Sequence, residues 1–277
     1  MTSMAANLFD LTGRVAVVTG SAARGGIGHA LALGLAQQGA SVVSADVDGS
    51  LARETAEEII AAGHKSTCVE CDIANPASVE ALFAEVDRVF GRVDILVNNA
   101  GIGSHTHPED LTLEEWHKVM EVDATGTFLC AQQAARRMIR EGTGGSIINI
   151  ASIAGSTALG RGNFVYSVAK GAVIQMTREL AVEWACHGIR VNAIQPAQIR
   201  TRALQALIDD PQFNSQKLID RFLVGIPLNR LGEPEDLVGP VIFLASDAAK
   251  FVTGVMLPVD GGNLALNAGG SHTWPKD

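Results

Sequence analysis

The stretch RVAVVTGSAARGGIG, Arg14–Gly28, decides the fold. Its first part, Arg14–Thr19, is apolar without alternation, the pattern of a strand buried on both faces. Glycines 20, 25, 26 and 28 follow, and Ile27, Leu31, Gly34 and Leu35 then recur at helical spacing until Gly39. Such a turn lets backbone N–H groups approach a pyrophosphate at a helix N-terminus. A glycine-rich loop alone reads equally well as an ordinary turn. The strand–loop–helix context is what favours dinucleotide binding.

Working outward, Ser41–Ala45, Ser66–Cys71, Asp94–Val97, Ser146–Ala151, Ile189–Ile194 and Val255–Pro258 read as further strands. Between them, Leu51–Ala62, Pro76–Phe90, Val165–Cys186 and Pro234–Ser246 read as helices, and Leu113–Arg140 as one long, bent helical region. Thr201–Arg221 reads as a polar helical insertion over the sheet edge. Strands that are apolar throughout and alternate with helices predict an α/β fold. The expectation is a single doubly wound Rossmann domain over 1–277, a seven-stranded parallel sheet flanked by helices on both faces. No linker or repeat divides it, and a segment at about 198–225 is expected to form a lid over the substrate. Ligands belong at the carboxyl ends of the strands.

Composition narrows the function. The chain has 277 residues, 47% hydrophobic and 18% charged, enough to bury a large core. Lys and Arg number 21 against 30 Asp and Glu, a formal charge of −9, which argues against nucleic-acid or anionic-membrane partners. Four cysteines are too few for a disulfide scaffold. Met1–Leu11 lacks the basic and apolar segments of a secretory signal, and no run of about 18 apolar residues exists. A cytoplasmic protein is expected.

Asp46 ends the second strand, 18 residues beyond Gly28. A carboxylate there binds ribose hydroxyls and repels a 2′-phosphate, so the expected cofactor is NAD rather than NADP. Asp48 adds negative charge; Arg24, able to pair with a 2′-phosphate, argues the other way. Tyr166 and Lys170 sit at i and i+4, on one helix face. Alone, such a pair is a surface feature. Here Asn98-Asn99-Ala100-Gly101 follows strand four and Ser152 follows strand five, on the side where a cofactor would lie.

Taken together, the chain resembles the short-chain dehydrogenase/reductase family. The resemblance runs from Gly13 to Gly262, through the Gly20–Gly28 loop, Asp72, Asn98–Gly101, Ser152, Tyr166, Lys170, Arg190-Val191-Asn192, Pro196 and Asp260-Gly261-Gly262. Some features are similar to its gluconate 5-dehydrogenase-like branch: Leu159-Gly160-Arg161, Ala206–Phe213 and Glu235–Gly254. The resemblance implies a secondary alcohol–ketone interconversion by hydride transfer, without metal. Tyr166 would be the acid/base, Lys170 would favour its tyrosinate and bind the nicotinamide ribose, and Ser152 would orient the substrate oxygen. The cofactor site it implies comprises Gly20, Ser21, Arg24, Gly26, Ile27, Gly28, Asp46, Val47, Asp72, Ile73, Asn99, Ala100, Gly101, Tyr166, Lys170, Pro196, Ala197, Ile199 and Thr201. It also implies a homo-oligomer, a tetramer rather than a dimer, joined through the long helices.

Several positions depart from the family pattern. The glycine-rich loop is longer by two residues. An Asn that supports a water relay to the Lys is Asp123 here, counted with the catalytic set. Ser152 stands one residue further from Tyr166 than usual, with Ser156 a weaker alternative, and Pro196-Ala197 replaces Pro-Gly. Cys68 and Cys71 fall on a strand and face opposite ways, which argues against zinc. His105 and His107 read as loop residues. The expected substrate is a sugar, sugar acid or polyol, held by Ser152, Arg161, Asn163, Tyr166, Gln198 and Arg202; Arg200 is a further polar group there. A 3-oxoacyl thioester reductase and a non-catalytic NAD-binding regulator are the alternatives. Asp46 speaks against the first and the Ser152–Tyr166–Lys170 set against the second.

Overall fold

Every residue of Val15–Thr19 is buried, and this segment is strand β1. It leads into helix α1, Ile27–Gln37, and then β2, Ser41–Asp46. Helix α2, Gly49–Ala61, is capped by Asp48, whose carboxylate accepts from the backbone of Ser50 and Leu51. Strand β3 is Ser66–Glu70. Helix α3, Pro76–Phe90, opens on Asn75 as cap with proline in its first turn, and left-handed Gly91 closes it. Strand β4 is Ile95–Asn98, followed by α4, Leu113–Met120, and α5, Thr127–Glu141. Then come β5, Gly145–Ile150, α6, Phe164–Glu183, and β6, Ile189–Pro196. Helices α7, Arg202–Asp209, α8, Ser215–Leu223, and α9, Val238–Ala245, precede the last strand, β7, Met256–Val259. These elements come from a computed structural model that describes residues 8–21, 24–160, 162–210 and 214–266.

The seven strands form one parallel sheet in the order β3-β2-β1-β4-β5-β6-β7. The order reverses between β1 and β4, which opens a crevice at their carboxyl ends. One apolar layer packs α1, α2 and α9 on the sheet through Leu31, Leu35, Ile59, Val241 and Leu244. The other packs α3 and α5 through Leu82, Phe83 and Met138. Among the described residues no helix is long and apolar enough to cross a membrane.

Four expected elements differ. The long region Leu113–Arg140 is α4 and α5 joined by a π-helical turn, Glu121–Gly126. Thr201–Arg221 is two helices, α7 and α8, and Pro234–Ser246 begins as a 3-10 turn over Pro234–Leu237. Asp94 falls just before β4, although its N–H donates to Val15 O and its carbonyl accepts from Ser146 N; its side chain accepts from Val15 N at 2.9 Å and pairs with Arg92.

Candidate active site

The carboxyl ends of β1, β4, β5 and β6 meet at one cleft. A cavity of about 330 Å³ there is lined by Ser152, Asn163, Tyr166, Lys170, Pro196, Ala197, Ile199 and Thr201, with Ile27 and Gly101 opposite. A second cavity of about 560 Å³ is lined by Gly20, Asp46, Val47, Asp72, Ile73 and Ala100. The two share Asn99, Gly101 and Ile102, so they form one continuous cleft.

Ser152 caps the 3-10 turn Ile153–Gly155 after β5. Its Oγ accepts from Ala154 N at 3.1 Å, which leaves the hydroxyl hydrogen free to donate into the cavity. Tyr166 and Lys170 stand one turn apart on α6, and Lys170 Nζ lies 5.6 Å from the centre of the Tyr166 ring. Lys170 is almost wholly buried and donates to Ile150 O at 3.1 Å. Its Nζ is also 3.1 Å from Asp123 Oδ2, off hydrogen-bond alignment, so this contact is an ion pair. Burial opposes the lysine charge, but electrostatic interaction with Tyr166 and with the Asp123 carboxylate outweighs it and holds Lys170 above its ordinary pKa.

Asp123 is completely buried in the π-helical turn. Its Oδ1 accepts from Ile102 N at 2.7 Å, and its carbonyl accepts from Thr127 Oγ1 at 2.7 Å. The Asp123 side chain thus meets Lys170 directly, at 3.1 Å. π-Helical turns of this kind recur at functional sites because they turn one extra residue inward.

The glycine-rich loop is pinned from β4. Asn99 Nδ2 donates to Thr19 O at 3.0 Å and to Gly20 O at 2.8 Å, and Thr19 Oγ1 accepts from Asn99 N and Ala100 N. Gly26 caps α1 without a side-chain acceptor, so the first N–H groups of α1 find none there. Ser21 is buried, and its Oγ donates to Ala45 O at 3.4 Å. Arg24 reaches Glu54 and Glu58 of α2 at 3.7 and 3.8 Å, so its charge is met by carboxylates. Asp46 lines the cleft and accepts from Asp48 N at 3.1 Å.

The expected substrate groups are scattered. Asn163 is on the catalytic cavity wall beside Ser152 and Tyr166. Gln198 lines a neighbouring cavity of about 510 Å³ under Ile226–Leu228 and Asp260–Gly262. Arg202 is exposed in the first turn of α7, Arg200 pairs with Glu233, and Arg161 lies outside the described residues. His105 and His107 are exposed, and their loop is held by Glu115, which accepts from Ser104 Oγ and Thr106 Oγ1. Cys71 is buried and Cys68 half-buried, and no group of three metal-ligating side chains exists among the described residues. Ser156 is already engaged: Gln195 Nε2 donates to its Oγ at 2.6 Å and to Ser152 O at 3.2 Å.

Gln195, Asn149 and Thr177 were not singled out from sequence; Asn98 was, in the run Asn98–Gly101. Asn98 Nδ2 donates to Asn149 Oδ1 and Asn149 Nδ2 to Thr177 Oγ1, both at 2.9 Å, tying β4 and β5 to α6 behind the site. The available signal is a polar residue inside an otherwise apolar strand, which must find a partner when buried.

Comparison with known proteins gives a consistent result. The family model described as enoyl-(acyl carrier protein) reductase matches residues 20–263. The chain is 40% identical over 262 residues to 2-dehydro-3-deoxy-D-gluconate 5-dehydrogenase from Dickeya dadantii, covering 95% of this chain and 100% of the relative. It superposes on a short-chain type dehydrogenase/reductase from Mycobacterium marinum with a TM-score of 0.87 and 37% identity, covering 93% of this chain and 98% of that one. A gluconate 5-dehydrogenase from Burkholderia cenocepacia, in complex with NADP and tartrate, gives 0.85 and 38%, covering 94% and 99%.

Proposed function

The chain belongs to the short-chain dehydrogenase/reductase family, and from that premise we propose an NAD(H)-dependent oxidoreductase that interconverts a secondary alcohol and a ketone on a sugar acid or polyol. The observation that carries the reading is the cavity that gathers Ser152, Tyr166 and Lys170 beside a second cavity lined by Gly20, Asp46 and Asp72. Ser152 donates to the substrate oxygen and fixes its place. Tyr166 takes the hydroxyl proton in oxidation and returns it in reduction. Lys170, charged and close to the Tyr166 ring, favours the tyrosinate that accepts it. When bound, the nicotinamide supplies the hydride acceptor or donor.

The residues fit a dinucleotide. The adenine half of the cleft has Asp46 and Asp72 at its walls, and Gly20 and Gly28 lie where a side chain would collide with neighbouring backbone. Asp46 with a carboxylate-paired Arg24 favours NAD over NADP. The Burkholderia cenocepacia relative holds NADP, so the assignment here rests on Asp46 and Arg24 of this chain. Wild-type protein is expected to bind NAD⁺ more tightly than NADP⁺. Asp46→Asn, which removes the charge that repels a 2′-phosphate, should narrow the ratio by about tenfold. Fluorescence titration with both nucleotides measures it, and tighter NADP⁺ binding by the wild type refutes the assignment.

Helices α7 and α8 act as the lid over the catalytic cavity. Homotetramer assembly is supported by Phe128 of α5 and Phe164, Val168 and Val182 of α6, large apolar groups left exposed on the long helices. The deciding experiment is NAD⁺ reduction across aldonates, aldoses and polyols. Turnover confined to sugar acids and polyols is the expected result. Activity only on acyl thioesters or long apolar ketones would replace this reading with the thioester reductase, and nucleotide binding without any turnover would favour a regulator.

A further inference from the structure

On the reading that the cleft binds a nicotinamide dinucleotide and favours NAD, we infer that Glu54 and Glu58 of α2 are specificity-determining residues: they hold Arg24 and withhold its charge from a 2′-phosphate. Arg24 is the single cation of the Gly20–Gly28 loop. A guanidinium there has the donor geometry to pair with a phosphate, and where it points decides whether it does. Its Nε lies 3.7 Å from Glu54 Oε2 and its Nη2 3.8 Å from Glu58 Oε2. Arg24 is on the wall of neither half of the cleft, whereas Asp46 lines the adenine half.

One side of α2 makes this hold. Glu54 and Glu58 stand one helical turn apart, with Thr55 beside them. Thr55 is wholly buried and donates from Oγ1 to Ser21 O at 3.1 Å. The glycine-rich loop is therefore tied to α2 at Ser21 and again at Arg24. Glu58 is itself held from α1: its Oε2, the oxygen that faces Arg24, lies 3.1 Å from Nε2 of the mostly covered His29. To serve a 2′-phosphate, Arg24 must leave two carboxylates for one phosphate that Asp46 already repels. Arg24 is 62% exposed, so each pair is weak and worth only a few-fold in affinity. Glu54 and Glu58 thus set a ratio between the two nucleotides, and Asp46 acts on the same ratio from the cleft wall.

Glutamine keeps the length and helix preference of glutamate and removes its charge. In Glu54→Gln/Glu58→Gln the ratio of NADP⁺ to NAD⁺ affinity should rise by about three- to tenfold over wild type, read by fluorescence titration. The same two changes made on Arg24→Gln should raise the ratio by less than about twofold, because no guanidinium remains to be released. Each single glutamine variant should give part of the rise, which keeps the test in hand if the double variant does not fold. An unchanged ratio in the folded variants overturns the inference. An equal rise with and without Arg24 also overturns it, since the carboxylates would then repel the 2′-phosphate by their own charge and hold nothing. A wild type that prefers NADP⁺ refutes the NAD assignment together with this one. A wild type that prefers NAD⁺, beside variants that do the same to the same degree, refutes this one alone. The titration needs no turnover, so it is independent of the search for substrates.

Discussion

Tyr166→Phe is expected to lower kcat by about 10²–10⁴-fold while nucleotide affinity stays close to that of the wild type. The loss corresponds to about 2.7–5.4 kcal/mol of transition-state stabilisation. Phenylalanine keeps the ring that lies under Lys170 Nζ at 5.6 Å, so the cation–ring contact survives. Lys170 keeps its contacts to Ile150 O and Asp123, and α6 keeps its packing through Val165, Ala169 and Val173. What disappears is the only group at that position able to take the substrate proton. Ser152 does not replace it, because an aliphatic hydroxyl is far less acidic than a phenol, and its oxygen already accepts from Ala154 N. Steady-state kinetics with nucleotide titration on the same preparation tests this. A variant within about tenfold of wild-type turnover would place the acid/base elsewhere.

The doubly wound sheet was legible in the sequence because a strand covered on both faces leaves an unbroken apolar run, as in Val15–Thr19 and Ile95–Val97. The strand ends were less so: Asp94 reads as the first residue of β4, and the strand begins one residue later, at Ile95. The set Ser152, Tyr166, Lys170 was legible through spacing and strand order, since both put these residues at the carboxyl edge. The π-helical turn was not, because the run Glu121–Gly126 has no periodicity that separates a wider turn from an α-helical one. Asp123 stands in that turn, where it meets Lys170. Nor did charge type settle where Arg24 points: its partners Glu54 and Glu58 lie a whole helix further along the chain.

Gly28→Ala is expected to weaken dinucleotide binding by about 10–100-fold, far more than a change at the neighbouring Gly25. Gly28 is buried in the first turn of α1, where the helix passes over the loop it has just left. A Cβ there would lie 2.1 Å from Gly20 O and 2.5 Å from Asn99 Nδ2. Those two atoms are hydrogen-bonded to each other at 2.8 Å, and that bond ties the loop to β4. The obstructing atom is backbone, so no rotamer change relieves the clash. The loop or the start of α1 must move instead, at about 1–3 kcal/mol, the range for overpacking. That cost falls on the N–H groups that would face the pyrophosphate, and about 1.4 kcal/mol is tenfold in affinity. Gly25 separates the two demands made on loop glycines. It has φ of +72° but open space around its missing Cβ, so Gly25→Asn, a residue that accepts left-handed backbone, should bind nucleotide almost normally. Calorimetric titration of both variants with NAD⁺, alongside thermal melts to confirm folding, gives the comparison. Equal affinities would mean that the nucleotide does not lie against the Gly20–Gly28 contact, and the dinucleotide reading of this loop would lose its physical basis.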